Sequence, residues 1–242
     1  MTGILANTYG TLTPAIVGTE LAKVQNKTAG TANLNSGSIN MVQGAVYLVM
    51  LSWDPSGNSL PTVTLSDGTN TYSSVRPLYP APATTSAGTG VIIQAFTTRA
   101  TATATQTITA TFSASITAKC MVVLELANAS TTLRSTTDWV ARGTTTTVTN
   151  TNPGVTGLTT DVLISMIGWE SPTAIVSGSS SAQSGTWSAV SQINTTGGVD
   201  NTNIGIAYQY KVLNAPISLN VIWTTGATPN NWGTRAFYLR QA

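Results

Sequence analysis

The residues of this chain that could do chemistry are few: eight carboxylates, one thiol and no histidine. Without histidine the commonest general base and metal ligand is missing, and with it every Ser-His-Asp or Cys-His nucleophile. One cysteine cannot build a zinc cluster or an intrachain disulfide, and no Gly-Lys-Ser/Thr loop cradles a phosphate. Cys120 sits among apolar neighbours and reads as a buried small hydrophobe.

The carboxylates are Glu20, Asp54, Asp67, Glu125, Asp138, Asp161, Glu170 and Asp200. Two carboxylates flanking a cleft suffice for glycoside hydrolysis. Asp54 and Glu170 are the pair to consider, since each directly follows a Trp that closes an apolar run. They read either as catalytic acids or as polar residues that end buried strands. Acid and base roles need unlike environments, which two equivalent positions do not offer. The chain is therefore read as non-enzymatic, with no catalytic residue and no cofactor. Ser66-Asp-Gly-Thr-Asn70 is a tight-turn signal rather than a calcium loop, and no metal site is expected.

Tryptophan and tyrosine remain, with an apolar face and a polar tip that suit sugars and protein interfaces alike. Trp53, Trp169, Trp187 and Trp223 fall at strand positions that recur along the chain and are expected in the core. Trp139 and Trp232 fall in predicted loops, after Asp138 and within Pro229-Asn-Asn-Trp-Gly233. Those two are the candidates for contact with a ligand or a neighbouring subunit.

The elements that must position these residues are written twice. Val46-Tyr-Leu-Val-Met-Leu-Ser-Trp53-Asp54 returns as Val162-Leu-Ile-Ser-Met-Ile-Gly-Trp169-Glu170. Thr71–Val75 answers Thr186–Val190, and Met121–Leu126 answers Ala236–Arg240. Runs such as Ala45–Trp53 are apolar throughout, as a strand covered on both faces requires. Thr107–Phe112 alternates, which places Ile108, Ala110 and Phe112 on one face. β-Branched residues dominate and no helical period is sustained. Asp67-Gly68 predicts a hairpin between Thr62–Leu65 and Thr71–Val75, and Pro77 to Gly90 reads as a long surface loop.

The reading is all-β: an antiparallel, jelly-roll-like β-sandwich built from two internally duplicated strand units. Residues 1–27 form an N-terminal arm or a first strand, 28–127 the first unit, 128–152 a polar connection and 153–242 the second unit. The two units are expected to complete one pseudo-symmetric sandwich, with two sandwiches in tandem as the alternative.

Composition narrows the setting. Of 242 residues 41% are hydrophobic, enough for a packed core. Only 7% are charged, against roughly 25% in ordinary soluble domains. Thr, Ser, Asn and Gln must carry the surface, and net charge, here +2, does little to hold copies apart. The ten basic residues are scattered, so no stripe for nucleic acid exists. The N-terminus lacks the basic and apolar stretches of a signal peptide, and no apolar run is long enough to cross a bilayer.

The strings Gly44–Trp53, Thr69-Asn-Thr-Tyr72, Thr107–Phe112 and Val122–Leu126 resemble the Thr/Ala/Gly-rich β-sandwich virion proteins of tailed bacteriophages of actinobacteria. The likeness covers most of residues 28–240 and rests on composition and strand order. It implies a minor capsid, capsid-decoration or minor tail protein, assembled in the host cytoplasm and carried on the virion. Its implied partners are the major capsid or tail protein and copies of itself. A tail or tail-tip protein that binds a host-surface glycan is the alternative. No catalytic residues come with the resemblance.

Overall fold

The structure is a computed structural model describing residues 17–28, 31–55, 60–86, 89–197 and 202–242. Among the described residues there are eighteen strands and no α-helix, and every paired strand runs antiparallel to its neighbours. The first half supplies β1 (Val17–Asn26), β2 (Thr31–Met41), β3 (Val46–Trp53), β4 (Val63–Ser66) and β5 (Ser73–Ser74). It continues with β6 (Tyr79–Ser86), β7 (Thr89–Arg99), β8 (Ala104–Ile116) and β9 (Lys119–Ala127). The second half supplies β10 (Ala129–Leu133), β11 (Val140–Gly143), β12 (Thr147–Asn150), β13 (Val162–Glu170) and β14 (Ile175–Ser177). β15 (Ser191–Asn194), β16 (Ile204–Val212), β17 (Val221–Thr225) and β18 (Asn231–Gln241) complete it.

These strands make four sheets. In the first half β1-β9-β3-β7-β5, with β6 also on β7, is backed by β2-β8-β4. In the second half β10-β18-β13-β16-β15, with β11 also on β18, is backed by β12-β17-β14. Along the main path of each sheet the two halves share a strand order, but the added strands differ, β6 lying on β7 and β11 on β18.

Side-chain alternation divides the interior into three layers of core. Odd residues of β3, such as Tyr47, Val49, Leu51 and Trp53, pack with Leu34, Ile108 and Phe112 of the β2-β8-β4 sheet. Even residues, Val46, Leu48 and Met50, pack across to Val162, Ile164, Met166, Ile206 and Phe237 of the second half. Leu163, Ile167 and Trp169 then face Val148, Val221 and Trp223. All of β3 and β13 is buried, as the unbroken apolar runs predict.

Each half is thus a β-sandwich in itself, and the two are stacked through their larger sheets. This corrects the expectation of a single sandwich to which each unit gives half the strands. The apolar runs demand cover on both faces, and one face of each central strand meets its own outer sheet while the other meets the opposite half.

Other expectations change for local reasons. The 77–90 loop contains β6, an edge strand on which Pro80 and Pro82 are tolerated because only one side is paired. The 128–152 connection contains β10, β11 and β12, anchored by buried Ala129, Trp139 and Val148. The Asp67-Gly68 turn does not close a hairpin: β4 pairs with β8 and β5 with β7, so the chain changes sheet there. Thr186–Val190 is reduced to a single bridge between Trp187 and Lys211. Within the expected N-terminal arm or first strand, residues 19–25 are part of β1.

Candidate functional site

The two carboxylates singled out in the sequence are brought together. β3 and β13 present equivalent faces to the seam between the sandwiches, ending in Ser52 then Asp54 on one and Gly168 then Glu170 on the other. A Cβ on Gly168 would stand 2.4 Å from Ile93 Cγ2 and 3.2 Å from Ser52 Cβ, so only glycine allows the sheets this approach. Ser52 donates to the Gly205 carbonyl at 3.0 Å, and the Cys120 thiol lies 3.2 Å from the Ile204 carbonyl.

Glu170 is fully buried, and its Oε2 accepts from Gly90 N at 2.9 Å and from Asn231 Nδ2 at 2.6 Å. Oε1 of Glu170 and Oδ1 of Asp54 are buried without a hydrogen-bond partner. Burial, with the Glu170 charge added, pushes the Asp54 carboxyl up to about 7 against the pull of Lys27. Burial also raises Glu170, opposed by its bonds from Asn231 and Gly90. Lys27 Nζ donates to Asn203 Oδ1 at 2.7 Å and to the Gly197 carbonyl.

Open clefts of about 380, 370 and 440 Å³ lie elsewhere, around Thr97 and Thr131, Glu125 and Asn128, and Ser179 and Thr224. Neither Asp54 nor Glu170 lines them. The pair lies where the larger sheets of the two halves stack.

Most other carboxylates have visible partners. Asp161 takes a two-pronged bond from Arg134 at 2.8 and 2.6 Å, and Glu125 accepts from the Tyr47 hydroxyl at 2.6 Å. Asp67 accepts from Thr69 N, Asn70 N and the Tyr72 hydroxyl at 2.9, 2.7 and 2.9 Å, which closes its turn. Burial alone would raise the Asp67 carboxyl, but the bonds from Asn70, Thr69 and Tyr72 together hold it below the usual range. Those bonds occupy the oxygens a cation would need, and among the described residues no group of three or more metal-ligating side chains occurs. Asp200 lies outside the described residues. Burial pushes the Cys120 thiol up to about 12, in keeping with a structural hydrophobe.

The two candidate contact aromatics are not on the surface. Trp139 is 2% and Trp232 5% exposed. Trp232 belongs to β18, and its indole donates to the Thr145 carbonyl at 3.0 Å. Trp139 precedes β11, packs 5.6 Å from the Tyr238 ring and donates to the Asn150 carbonyl at 3.1 Å. Sequence reading put them in loops because their neighbours are polar. The strands beside them are short, and the indoles complete the core those strands leave open.

Arg235 was missed. It lies on the seam face of β18 at 1% exposure, donating to the Pro77 carbonyl at 2.7 Å, with its Nη2 3.4 Å from Asp138 Oδ2. Arg235 and Arg142 lie over the Tyr79 ring at 5.9 and 5.4 Å. The alternation Gly233, Arg235, Phe237, Leu239 was the available signal. Tyr210 and Glu20 tie the opposite margin, through the Gly18 carbonyl at 3.1 Å and the Tyr208 hydroxyl at 3.0 Å.

Compared with protein-family models, curated proteins and solved structures, the chain finds no match.

Proposed function

We propose that this chain is a non-enzymatic structural protein of a bacteriophage virion, an accessory or decoration protein of the capsid that stabilises the particle surface through contacts between subunits. The observation that carries the reading is the outer face of the β2-β8-β4 sheet. Its cross-strand rows are Asn33–Thr111–Thr64, Asn35–Thr109–Ser66, Ser38–Thr107 and Asn40–Thr105, and none holds a charge. Nearly all of these side chains are exposed. Such a face can hydrogen-bond a neighbour without stripping water from ions, which is the costly part of polar association. Its partners on this reading are the major virion protein and other copies of the chain.

Placement on a tail tip with a glycan-binding role draws less support. Sugar recognition of that kind uses an exposed aromatic platform, and among the described residues no Trp, Tyr or Phe is exposed. No helix among the described residues is long and apolar enough to cross a membrane.

The test is the absolute mass of the purified protein by chromatography with light scattering, followed by sedimentation with virion particles that lack it. A defined dimer or trimer, or saturable attachment to the particles, is expected. A monomer that also fails to attach overturns the proposal.

A further inference from the structure

At one end of the seam the apolar packing stops and two acids take its place. Ser52 lies against Gly168, and two residues further along the same faces stand Asp54 and Glu170. They are 7% and 0% exposed, and each keeps one oxygen without a partner. A bare ionised carboxylate oxygen is costly in such a place, and a second one near enough for the Glu170 charge to act on Asp54 adds to the cost. One proton held by the pair relieves both costs, because the protonated acid becomes a donor to its neighbour and the repulsion disappears.

We propose that Asp54 and Glu170 form a proton-sharing clasp between the two sandwiches, closed while the pair keeps its proton and loosened when solvent removes it. The groups that face the pair fit this role. From β18 and the start of β7, Asn231 and Gly90 fix Glu170 Oε2 and leave Oε1 without a partner, open to a shared proton. After β1, Lys27 supplies one positive charge, held by Asn203 and the Gly197 carbonyl. One lysine balances one carboxylate, so a singly protonated pair leaves the end of the seam neutral. Lys119 on β9 is paired in register with Trp53 and donates to the Ile116 carbonyl at 2.8 Å. Its neighbour Cys120 faces the seam as a neutral thiol.

The direction of the pH effect follows. Asp54 is raised from 3.8 to about 7 in the folded chain, so the folded state holds more protons than the unfolded one between those values. The clasp therefore contributes fully at about pH 4 and is lost as pH rises towards 7, after which stability levels off.

Thermal unfolding from pH 4 to 8 tests this. The wild type is expected to lose about 5–10 °C over that range. Asp54→Asn should abolish the fall, whatever its own melting temperature. Glu170→Gln should move the fall to lower pH, because Asp54 then titrates without a like charge beside it. In the same titration the Gly90 amide, which donates to Glu170, should lose hydrogen-exchange protection above pH 7. The clasp is overturned if Asp54→Asn keeps the wild-type slope, if Glu170→Gln leaves the midpoint in place, or if Gly90 stays protected while the melting temperature falls. Millimolar calcium that removes the fall in the wild type but not in Asp54→Asn would also overturn it, since the pair would then hold a cation.

Discussion

The two sandwiches share a strand order and fill their cores by different means. In the first, the outer strands β2 and β8 run for 11 and 13 residues, and among the described residues the core between its sheets holds one tryptophan, Trp53, with Tyr47, Phe96, Phe112 and aliphatic residues. In the second, β12, β14 and β17 have 4, 3 and 5 residues, and the core holds Trp139, Trp169, Trp187, Trp223 and Trp232. Long ladders position many small side chains. Short ones leave area uncovered, and large rings cover it. Three of these indole N–H groups also tie down chain segments, Trp139 to Asn150 at the end of β12, Trp169 to Thr173 at 2.6 Å and Trp232 to Thr145, while that of Trp187 has no partner. Trp53, backed by a long sheet, has no partner for its indole nitrogen. One arrangement of strands can therefore be held by main-chain pairing or by anchored aromatics.

The largest test of that contrast is Trp223→Ala. It should cost about 3–5 kcal/mol in urea unfolding. An effect under about 1 kcal/mol would mean that the second core does not depend on its rings. Gly205→Ala comes next. Trp169 is paired with Gly205, and a Cβ there would stand 2.2 Å from the Trp169 ring, whereas Trp53 is paired with Ile92. The added methyl should cost about 1–3 kcal/mol and change the near-ultraviolet circular dichroism of tryptophan. The smallest and sharpest test compares two phenylalanines. Trp223→Phe forfeits a 3.0 Å bond to Ser165 Oγ and should cost about 1 kcal/mol more than Trp53→Phe, which forfeits none. Equal costs would break the comparison.

Those differences were only partly legible in the sequence. The largely apolar runs at 45–53 and 162–169 announced β3 and β13, because burial on both faces leaves no regular polar phase. Ile108, Ala110 and Phe112 point inward as their alternation requires. What stayed hidden was the partner of each face. A run covered on two sides does not say whether the second cover is its own outer sheet or the other half of the chain. Edge strands were hidden for another reason: β6 carries prolines that mimic a loop signal, and β11 and β12 are too short and polar to alternate visibly. Of the candidate site, the pairing of Asp54 with Glu170 could be anticipated from their equivalent places after Trp53 and Trp169. Their burial could not, since it depends on how the halves stack. Trp139 and Trp232 were misplaced because local polarity says nothing about a core assembled from distant strands.

Ser52 meets Gly168, and Asp54 lies within reach of the Glu170 charge. These are matching positions of the two halves, and a residue meets its own counterpart only beside a two-fold axis of an isologous contact. Two identical half-chains joined in this way would set identical acids face to face and identical side chains where the sheets approach most closely. Joining the halves covalently lifts that restriction. One side can become glycine while the other stays serine, and one acid can lengthen to glutamate with its own donors while the other remains aspartate. The asymmetry at the seam is what a single chain can write and a homodimer cannot.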